Sequence, residues 1–199
     1  MKTREHIEAV RTALDTLDVN AIETLSSALF ETWRNDQAIF VFGNGGSAAT
    51  ATHHVVDFIQ ASTRESDRGL RAQAIVANGA LTTAISNDSG YAMVFREQLA
   101  ALARPGDMAL AISGSGCSPN VVQAAIWARA HGIRVSALTG FDGGRLAPLA
   151  DIHVHVASTD YGVIEDVHGC LGHILSKNLA ALIRAENAAP LRMLHRQRQ

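Results

Sequence analysis

The fold is decided by residues 38–53, which read AIFVFGNGGSAATATH. An apolar, β-prone run ends at Phe42, a glycine-rich turn follows, and Ser47 opens a segment of small helix-forming residues. A helix that starts after such a turn presents unpaired backbone N–H groups, and its dipole adds to their attraction for an anion. We expect Ser47 to be the N-cap of this helix. The glycine spacing matches neither a dinucleotide-binding fingerprint nor a P-loop, so the segment predicts either another kind of phosphate-binding loop or an ordinary tight turn.

The composition is that of a globular protein of ordinary polarity. Of the 199 residues, 47% are hydrophobic and 18% are charged, which suits one domain with a substantial core. The net charge of −2 provides no bulk attraction for nucleic acid or for an anionic membrane, and we expect neither as a partner. No run of about 18 apolar residues is present, so no membrane span is predicted. The two cysteines, Cys117 and Cys170, form no C-x-x-C pair, which favours a reducing, cytoplasmic location.

Two amphipathic helices are predicted at the start of the chain, over residues 1–36. Apolar residues recur at helical spacing in two stripes, with a break and N-cap at Asp18 or Asn20. The stripes are Ile7, Val10, Leu14 and Leu17, then Ile22, Leu25, Leu29 and Trp33. We expect a helical hairpin that stands apart from the rest of the chain and mediates oligomerisation. A monomer would expose these stripes, so we expect them to be buried between subunits.

Strand and helix patterns alternate over the rest of the chain. Five short, apolar, β-branched runs are separated by segments with helical periodicity, and they cover residues 38–42, 72–77, 108–113, 134–139 and 152–156. This pattern predicts a doubly wound α/β fold with a five-stranded parallel sheet over residues 37–190, followed by a polar tail over 191–199. In such sheets, ligands bind at the carboxyl ends of the strands.

A second glycine- and serine-rich loop follows the third predicted strand. Residues 112–120 read ISGSGCSPN, and Pro119 opens the next helix. Together with residues 43–47, this loop predicts two backbone cradles that grip one phosphate through neutral donors. The glycines at 140–144 are interpreted as a helix-initiating turn. Residues 87–91 form a further turn that either brings Asp88 to the pocket or is an ordinary inter-helix loop.

Histidines and carboxylates at helical spacing indicate a metal or acid–base site. His53 and Asp57 lie four residues apart, which places them on one face of the first helix after the glycine turn. Such a pair can ligate a divalent metal or provide a base and its orienting partner. Glu165 and His173 lie on the last long helix, about 12 Å apart along its axis. Both reach one metal only if their side chains converge or if different subunits contribute them.

Four motifs occur in order: GNGGS at 43–47, ISGSGCSPNV at 112–121, LTGFDGG at 138–144 and EDVHGCLGH at 165–173. Together they resemble the SIS-domain phosphosugar isomerases and, more narrowly, the phosphoheptose isomerases, which act on sedoheptulose 7-phosphate. The resemblance extends from the N-terminal helices to about residue 187. Each motif is weak alone, but the set is specific.

The resemblance implies a set of functional residues and an assembly. Ser47, Ser113, Ser115 and Ser118 match the hydroxyls that bind the substrate phosphate. The full set expected to contact substrate is Asn44, Gly45, Ser47, Asp88, Ser113, Gly114, Ser115, Ser118 and Glu165. The implied ligands of a divalent metal, zinc in several members of the family, are His53, Asp57, Glu165 and His173. Asp57 and His173 also match the acid–base groups, and the family is typically a homotetramer with active sites at subunit boundaries.

Some positions depart from the family pattern. They are Asp57 for the usual glutamate, Glu165 for glutamine, Gly114 for a common threonine and Gly162 for an active-site aspartate. A branch of the family carries the aspartate and the Glu-Asp-x-His sequence, so Asp57 and Glu165 are typical of a subfamily. The basic residue that usually follows shortly after the first helix is missing at Gln60 and Ala61, although Arg64 is close.

Three functional hypotheses follow from the sequence. The first is an aldose–ketose isomerase that interconverts sedoheptulose 7-phosphate and D-glycero-D-manno-heptose 7-phosphate. The second is a non-catalytic SIS-domain module that binds phosphosugars or proteins, but the relatives of that kind lack the histidine found here at His173. The third is a nucleotide-binding α/β protein, for which the acidic residue and glycine spacing are missing. We favour the isomerase.

Overall fold

The computed structural model describes residues 2–196, with side chains described up to residue 188. The helices are α1 (Lys2–Asp15), α2 (Val19–Arg34), α3 (Gly46–Glu65), α4 (Gly79–Asp88), α5 (Val94–Leu102), α6 (Pro119–Ala130) and α7 (Tyr161–Arg196). The strands are β1 (Ala38–Gly43), β2 (Arg71–Ala74), β3 (Met108–Ser113), β4 (Arg134–Thr139) and β5 (Ile152–His155). Short 3-10 turns cover Tyr91–Met93 and Ala147–Leu149.

The five strands form one parallel sheet in the order β2-β1-β3-β4-β5. This confirms the predicted doubly wound α/β fold. The chain order reverses between β1 and β3, and ligands bind in the crevice that such a reversal opens at the carboxyl ends of the strands. The loops after β1 and β3 therefore lie side by side at the position where the fold favours a ligand site.

Alternating side chains of the central strands pack into two cores, one on each face of the sheet. Ile39 and Val41 of β1 pack with α2, α3 and α7. Phe40 and Phe42 of the same strand pack with α5 and α6. β1 and β3 are buried along their whole length, which explains their continuous apolar sequence.

Helices α3 and α7 run parallel to each other across one face of the sheet. Their starts meet where Glu165 lies against Gly46, and their ends meet where Arg184 binds Glu65. The parallel alignment places the residues of α7 beside those of α3 over several turns. The His53–Asp57 face of α3 is thereby brought next to His173.

The N-terminal helices are present, but they do not stand apart as predicted. The α2 stripe is buried inside the chain, with Leu25 and Leu29 fully buried and Trp33 donating a hydrogen bond to the Arg68 carbonyl. Both helices pack against α7. The expectation that the α2 stripe needs another subunit was wrong, because α7 and the sheet provide its partner. Only α1 leaves a large apolar side chain of its stripe exposed, that of Ile7 at 63%.

Two predicted helix starts have different outcomes. Asp18 is the N-cap of α2, as predicted, and its carboxylate accepts hydrogen bonds from the backbone N–H groups of Asn20 and Ala21. Ser47 is not the N-cap of α3, because Gly45 takes that position with φ of 55° and the helix begins at Gly46. Glycine adopts this left-handed φ without strain, so the turn closes earlier than the serine signal indicates.

The remaining predictions concern the turn at 140–144 and the end of the chain. The turn leads into the short 3-10 turn at 147–149 and not into an α-helix. Helix α7 continues to Arg196, so the polar tail predicted for 191–199 falls on its last turns and on residues 197–199, which lie outside the described residues. Within residues 2–196, no helix is both long and apolar enough to cross a membrane.

Candidate active site

Two loops meet at the switch point of the sheet: the first glycine loop (Gly43–Ser47) and the second glycine loop (Ser113–Ser118). A side chain at Gly43 would lie 2.5 Å from the Ile112 carbonyl oxygen and 2.7 Å from the Ser47 Cβ. Glycine at this position therefore allows Ser47 to approach the end of β3. Ser47 and Ser113 are both 5% exposed, so each hydroxyl lies at the base of the cradle and not on its rim.

A reciprocal pair of amides joins the first loop to the start of α6. The Asn44 side chain donates to Asn120 Oδ1 at 2.8 Å, and Asn120 donates back to Asn44 Oδ1 at 2.8 Å. The Tyr91 hydroxyl also donates to Asn44 Oδ1, at 2.9 Å. The Asn44 side chain, which we expect from the sequence to contact substrate, thus holds the two cradles together in this structure. Asn120 and Tyr91 were missed, since neither has a sequence signal beyond its position near a turn.

The second glycine loop is supported by the turn at 140–144. The Gly140 N–H donates to the Gly114 carbonyl at 2.7 Å, and the Leu146 N–H donates to the Gly116 carbonyl at 2.9 Å. Gly116 has φ of 64°, and a side chain there would collide with the Gly143 carbonyl. The glycines of the third turn therefore fix the shape of the serine loop. This accounts for their position without a direct contact to a ligand.

The serines of the second loop differ in their surroundings. The Ser113 and Ser118 hydroxyl oxygens are 3.5 Å apart, and Ser118 is the N-cap residue of α6 without using its hydroxyl to cap the helix. The Ser115 hydroxyl accepts a hydrogen bond from the Cys117 N–H at 3.3 Å. The hydroxyls of Ser113 and Ser118 thus remain for an anion, whereas at the start of α6 Pro119 has no N–H and the Val121 N–H donates to Asn120 Oδ1.

The ring of Tyr161 lies against Gly114, at the edge of the second loop. A Cβ atom at Gly114 would be 3.1 Å from Tyr161 Cδ1, and the tyrosine ring also packs on Phe141 with centroids 4.8 Å apart. Because Gly114 has no side chain, the Tyr161 ring can lie against the backbone at this position. Gly114 is a departure from the family pattern that is visible in the sequence, whereas its contact with Tyr161 depends on the packing of α7.

His53, Asp57 and His173 form a cluster between α3 and α7. The Nε2 atoms of both histidines lie 3.5 Å from Asp57 Oδ2, and the two rings meet edge to face with centroids 5.1 Å apart. One possible ligand atom of each of the three residues lies within 4.8 Å of those of the other two. The predicted convergence of His173 with the His53–Asp57 pair is therefore present within a single chain.

The chemistry of this cluster fits a divalent metal. Asp57 Oδ2 is a buried carboxylate oxygen without a hydrogen-bond partner. For ligand distances of about 2.1 Å, the edge of a zinc tetrahedron is about 3.4 Å, close to the two nitrogen–oxygen separations here. Two imidazoles and a carboxylate form a donor set that zinc and other first-row divalent ions accept.

A second histidine pair lies beneath the cluster and is buried. His54 Nε2 pairs with the His168 carbonyl oxygen at 3.0 Å, and the His168 ring approaches the Thr139 carbonyl. Burial lowers the pKa of both His54 and His168 to about 4, so both rings are neutral near pH 7. The ring of His54 lies directly over Gly172, where any Cβ would be 2.1 Å from His54 Cδ2. This close contact sets the separation of α3 and α7 at the level of the cluster.

Two predicted site residues are not in the cluster. Glu165 lies against Gly46, at the start of α3, and so is beside the first glycine loop and not with His53, Asp57 and His173. Asp88 is exposed at the end of α4 and accepts a hydrogen bond from the neighbouring Asn87 side chain. Glu165 lies away from the cluster because eight residues of helix separate it from His173. Asp88 lies away from the pocket because it is the last residue of α4 and not part of a loop.

Comparison with known proteins gives a consistent set of matches. The model of the SIS domain family matches residues 4–140. A phosphoheptose isomerase of Roseiflexus is 37% identical over 179 residues, covering 87% of this chain and 90% of the relative. One of Aliarcobacter butzleri is 37% identical over 170 residues, covering 85% and 89%. The solved phosphoheptose isomerase of Neisseria gonorrhoeae superposes with a TM-score of 0.82 at 31% identity, covering 90% of this chain and 95% of that one.

Proposed function

This chain belongs to the SIS domain family and, within it, to the phosphoheptose isomerases, and on this basis we propose that it interconverts sedoheptulose 7-phosphate and D-glycero-D-manno-heptose 7-phosphate. The observation that carries the proposal is the convergence of His53, Asp57 and His173, of which the first two lie on α3, the helix that begins at the first glycine loop. A non-catalytic binding module has no need for this arrangement. An isomerase needs a phosphate anchor and an acid–base pair at a fixed distance from it.

The spacing along α3 suits a phosphorylated sugar. Ser47 is six residues before His53 and ten before Asp57, so the cluster begins about 9 Å along the helix from the first loop and extends to about 15 Å. An open-chain heptose with its phosphate in the two glycine loops extends along α3 towards the near end of this cluster, at His53. Ser47, Ser113, Ser115 and Ser118, with the N–H groups of Gly45 and Gly114, bind the phosphate.

Asp57 and His173 move the protons. Asp57 takes a proton from C1 of the ketose, the resulting enediol forms between C1 and C2, and Asp57 returns the proton to C2 of the aldose. His173 transfers the proton between the two oxygen atoms. Asp57 Oδ2 has no hydrogen-bond partner among the described residues, and its contacts there are the imidazole nitrogens of His53 and His173 at 3.5 Å.

A divalent metal is part of the proposal. His53, Asp57 and His173 would hold it, and a bound ion such as zinc would polarise the sugar carbonyl and stabilise negative charge on its oxygen. Asp57 has two carboxylate oxygens, so one can face the ion while the other accepts the carbon proton. Glu165 joins this set only if another subunit supplies it, because within one chain it lies at Gly46.

We propose a cytoplasmic homotetramer in which neighbouring subunits cover the site. The side chains of His53 and His173 are each 55% exposed in the single chain, although isomerases exclude water from their reactive intermediates. The exposed Ile7 of α1 provides an apolar contact for such a neighbour. Both cysteines are free, which is consistent with a reducing compartment. Light scattering at micromolar concentration tests the assembly, and a mass near that of the 21.2 kDa chain would contradict it.

The activity is tested by incubating the purified protein with ketose phosphates of five, six and seven carbons and recording the aldose signals by NMR. We expect the seven-carbon substrate to be converted fastest, because its chain is the longest of the three and extends furthest from the loops towards the cluster. Equal conversion of all three would retain the reaction type but refute the assigned substrate. Absence of any aldose would refute the proposed function.

A further inference from the structure

A cavity of about 430 Å³ lies between α3 and α7 and contains the proposed acid and base. Asp57 and His173 line it together with Ala61, Arg64, Ser176 and Lys177. The cavity therefore extends beyond the cluster, away from the two glycine loops. Any group in it lies next to the reacting end of the sugar and not next to the phosphate.

Lys177 is the cation in this cavity that is placed to reach the reacting atoms. It follows His173 by four residues on α7, so its side chain starts on the same helix face, about 6 Å further along the axis. Arg64 is seven residues beyond Asp57, about 10 Å along α3, and its guanidinium donates to the Gln60 side chain at 3.1 Å. Lys177 is thus nearer to the acid–base pair than Arg64 is.

The charge of Lys177 is not neutralised by a neighbour. Among the described residues Lys177 has no hydrogen bond or ion pair. The other carboxylate that lines the cavity, Glu65, forms a bidentate ion pair with Arg184. Lys177 is an exposed residue that lines the cavity, and of the described carboxylates that line it with Lys177, Asp57 is the one not paired with an arginine.

The choice of lysine is also unusual for this chain. Of its 17 basic residues, 15 are arginines, and the two lysines are Lys2 and Lys177. Lysine provides a compact point charge with three rotatable donors, whereas arginine provides a planar fork suited to carboxylates and phosphates. A compact ammonium suits a single oxygen atom on which charge develops.

We propose that Lys177 is a further catalytic residue, whose ammonium donates a hydrogen bond to the C2 oxygen of the sugar and stabilises the enediolate. This inference rests on the proposed isomerase function. When Asp57 takes the C1 proton, the C–H electron pair becomes the C1–C2 double bond and the carbonyl π pair moves onto the C2 oxygen. Lys177 keeps its proton throughout and lowers the energy of that negative charge. His173 moves the proton of the C1 hydroxyl to the C2 oxygen while Asp57 protonates C2, so the pair of the C1–C2 double bond forms the C2–H bond and the O1–H pair forms the C1 carbonyl of the aldose.

The kinetic test compares Lys177→Met with Lys2→Met, which removes the other lysine of the chain. We expect Lys177→Met to lower kcat about 100-fold and to change KM by less than about threefold, because the charge develops only in the transition state. Lys2→Met retains the wild-type kcat, and Lys177→Arg recovers part of the lost activity. A wild-type kcat in Lys177→Met, or a change confined to KM, would overturn the inference.

A second measurement does not depend on turnover. Acetylation of the wild-type protein by an N-hydroxysuccinimide ester, followed by peptide mass spectrometry, reports the reactivity of both lysines. We expect sedoheptulose 7-phosphate to slow acetylation of Lys177 at least about fivefold at saturation, and to leave Lys2 unchanged as the internal control. A wild-type protein without isomerase activity would refute the proposed function. In that case, protection of Lys177 would still support its contact with the sugar, and equal acetylation with and without the sugar would overturn it.

Discussion

At the scale of single residues, Asp57 is the centre of the account. Its Oδ2 atom is buried, lacks a hydrogen bond and lies 3.5 Å from an imidazole nitrogen on each side. A buried carboxylate oxygen without a hydrogen bond costs free energy, so its presence here points to a function. A bound cation or a substrate proton satisfies this oxygen, and the same two possibilities define its roles in the proposed reaction.

The first prediction concerns the metal. Protein purified without chelator is expected to contain about one divalent ion per chain, and His53→Ala or His173→Ala is expected to lose it, because each removes one of three donors. His131→Ala is the control, since His131 stacks on Trp127 outside the cluster. Elemental analysis by mass spectrometry measures the content. Undiminished metal in both cluster variants would show that the ion is bound elsewhere.

At the scale of elements, the packing of α3 on α7 determines the geometry of the cluster. The ring of His54 occupies the space over Gly172. His54 directly follows His53 on α3, and Gly172 directly precedes His173 on α7. A glycine inside a helix costs about 0.5–1 kcal/mol relative to alanine, so its presence here has a packing reason. The absent side chain lets the two helices approach closely enough for Asp57 to reach both histidines.

The second prediction compares two glycines of α7. Gly172→Ala places a methyl group 2.1 Å from the His54 ring, so we expect a loss of about 1–3 kcal/mol in the free energy of unfolding, together with lower metal affinity. Gly169→Ala meets no atom within 4 Å and is expected to stabilise the protein by about 0.5–1 kcal/mol. Urea denaturation measures both. Equal stability of the two variants would contradict the assigned role of Gly172.

The elements with continuous apolar runs were predictable from the sequence, and the irregular ones were not. All five strands lie within three residues of the expected bounds. β1 and β3, which are buried along their whole length, match within one residue, because a parallel strand buried on both faces has to be apolar throughout. The position of α2 was not predictable. An apolar stripe specifies that something must cover it, but the stripe from Ile22 to Trp33 does not specify whether the cover is another subunit or α7.

The candidate site was predictable to the extent that it depends on local spacing. The His53–Asp57 pair follows from the four-residue helical repeat, and the serine loops follow from their positions after strands. Lys177, Tyr161 and the Asn44–Asn120 pair were not found, because their placement depends on how distant elements pack. Glu165 was expected with the metal on the basis of resemblance, whereas the chain places it at the start of α3.

At the scale of the whole molecule, the buried histidines link stability to pH. Burial lowers the pKa of His168 from 6.5 to about 4, so the folded protein binds a proton there less readily than the unfolded chain does. The free energy of unfolding is therefore highest above pH 6.5, and it decreases as the pH falls towards 4, because the unfolded chain takes up a proton that the folded protein does not. His54 has a pKa lowered in the same direction and adds to the effect.

The third prediction follows from this linkage. Between pH 7.5 and pH 5, His168 is expected to contribute a loss of about 2 kcal/mol to the free energy of unfolding. His168→Leu replaces the titratable ring with an apolar group of similar size. Between the same two pH values, we expect the free energy of unfolding of this variant to decrease by about 2 kcal/mol less than that of the wild type. Urea denaturation at the two pH values measures the difference. Identical pH dependence of the two proteins would show that His168 is not protonated on unfolding.

The most direct measurement of the central claim follows sedoheptulose 7-phosphate by NMR during incubation with the protein in D₂O. The wild type is expected to produce aldose signals with deuterium at C2, because the proton taken by Asp57 exchanges with solvent before it returns. Asp57→Asn is expected to react at least about 100-fold more slowly, since the amide cannot accept the proton, while the exposed control Asp67→Asn retains the wild-type rate. Absence of aldose from the wild type, or a wild-type rate in Asp57→Asn, would contradict the account.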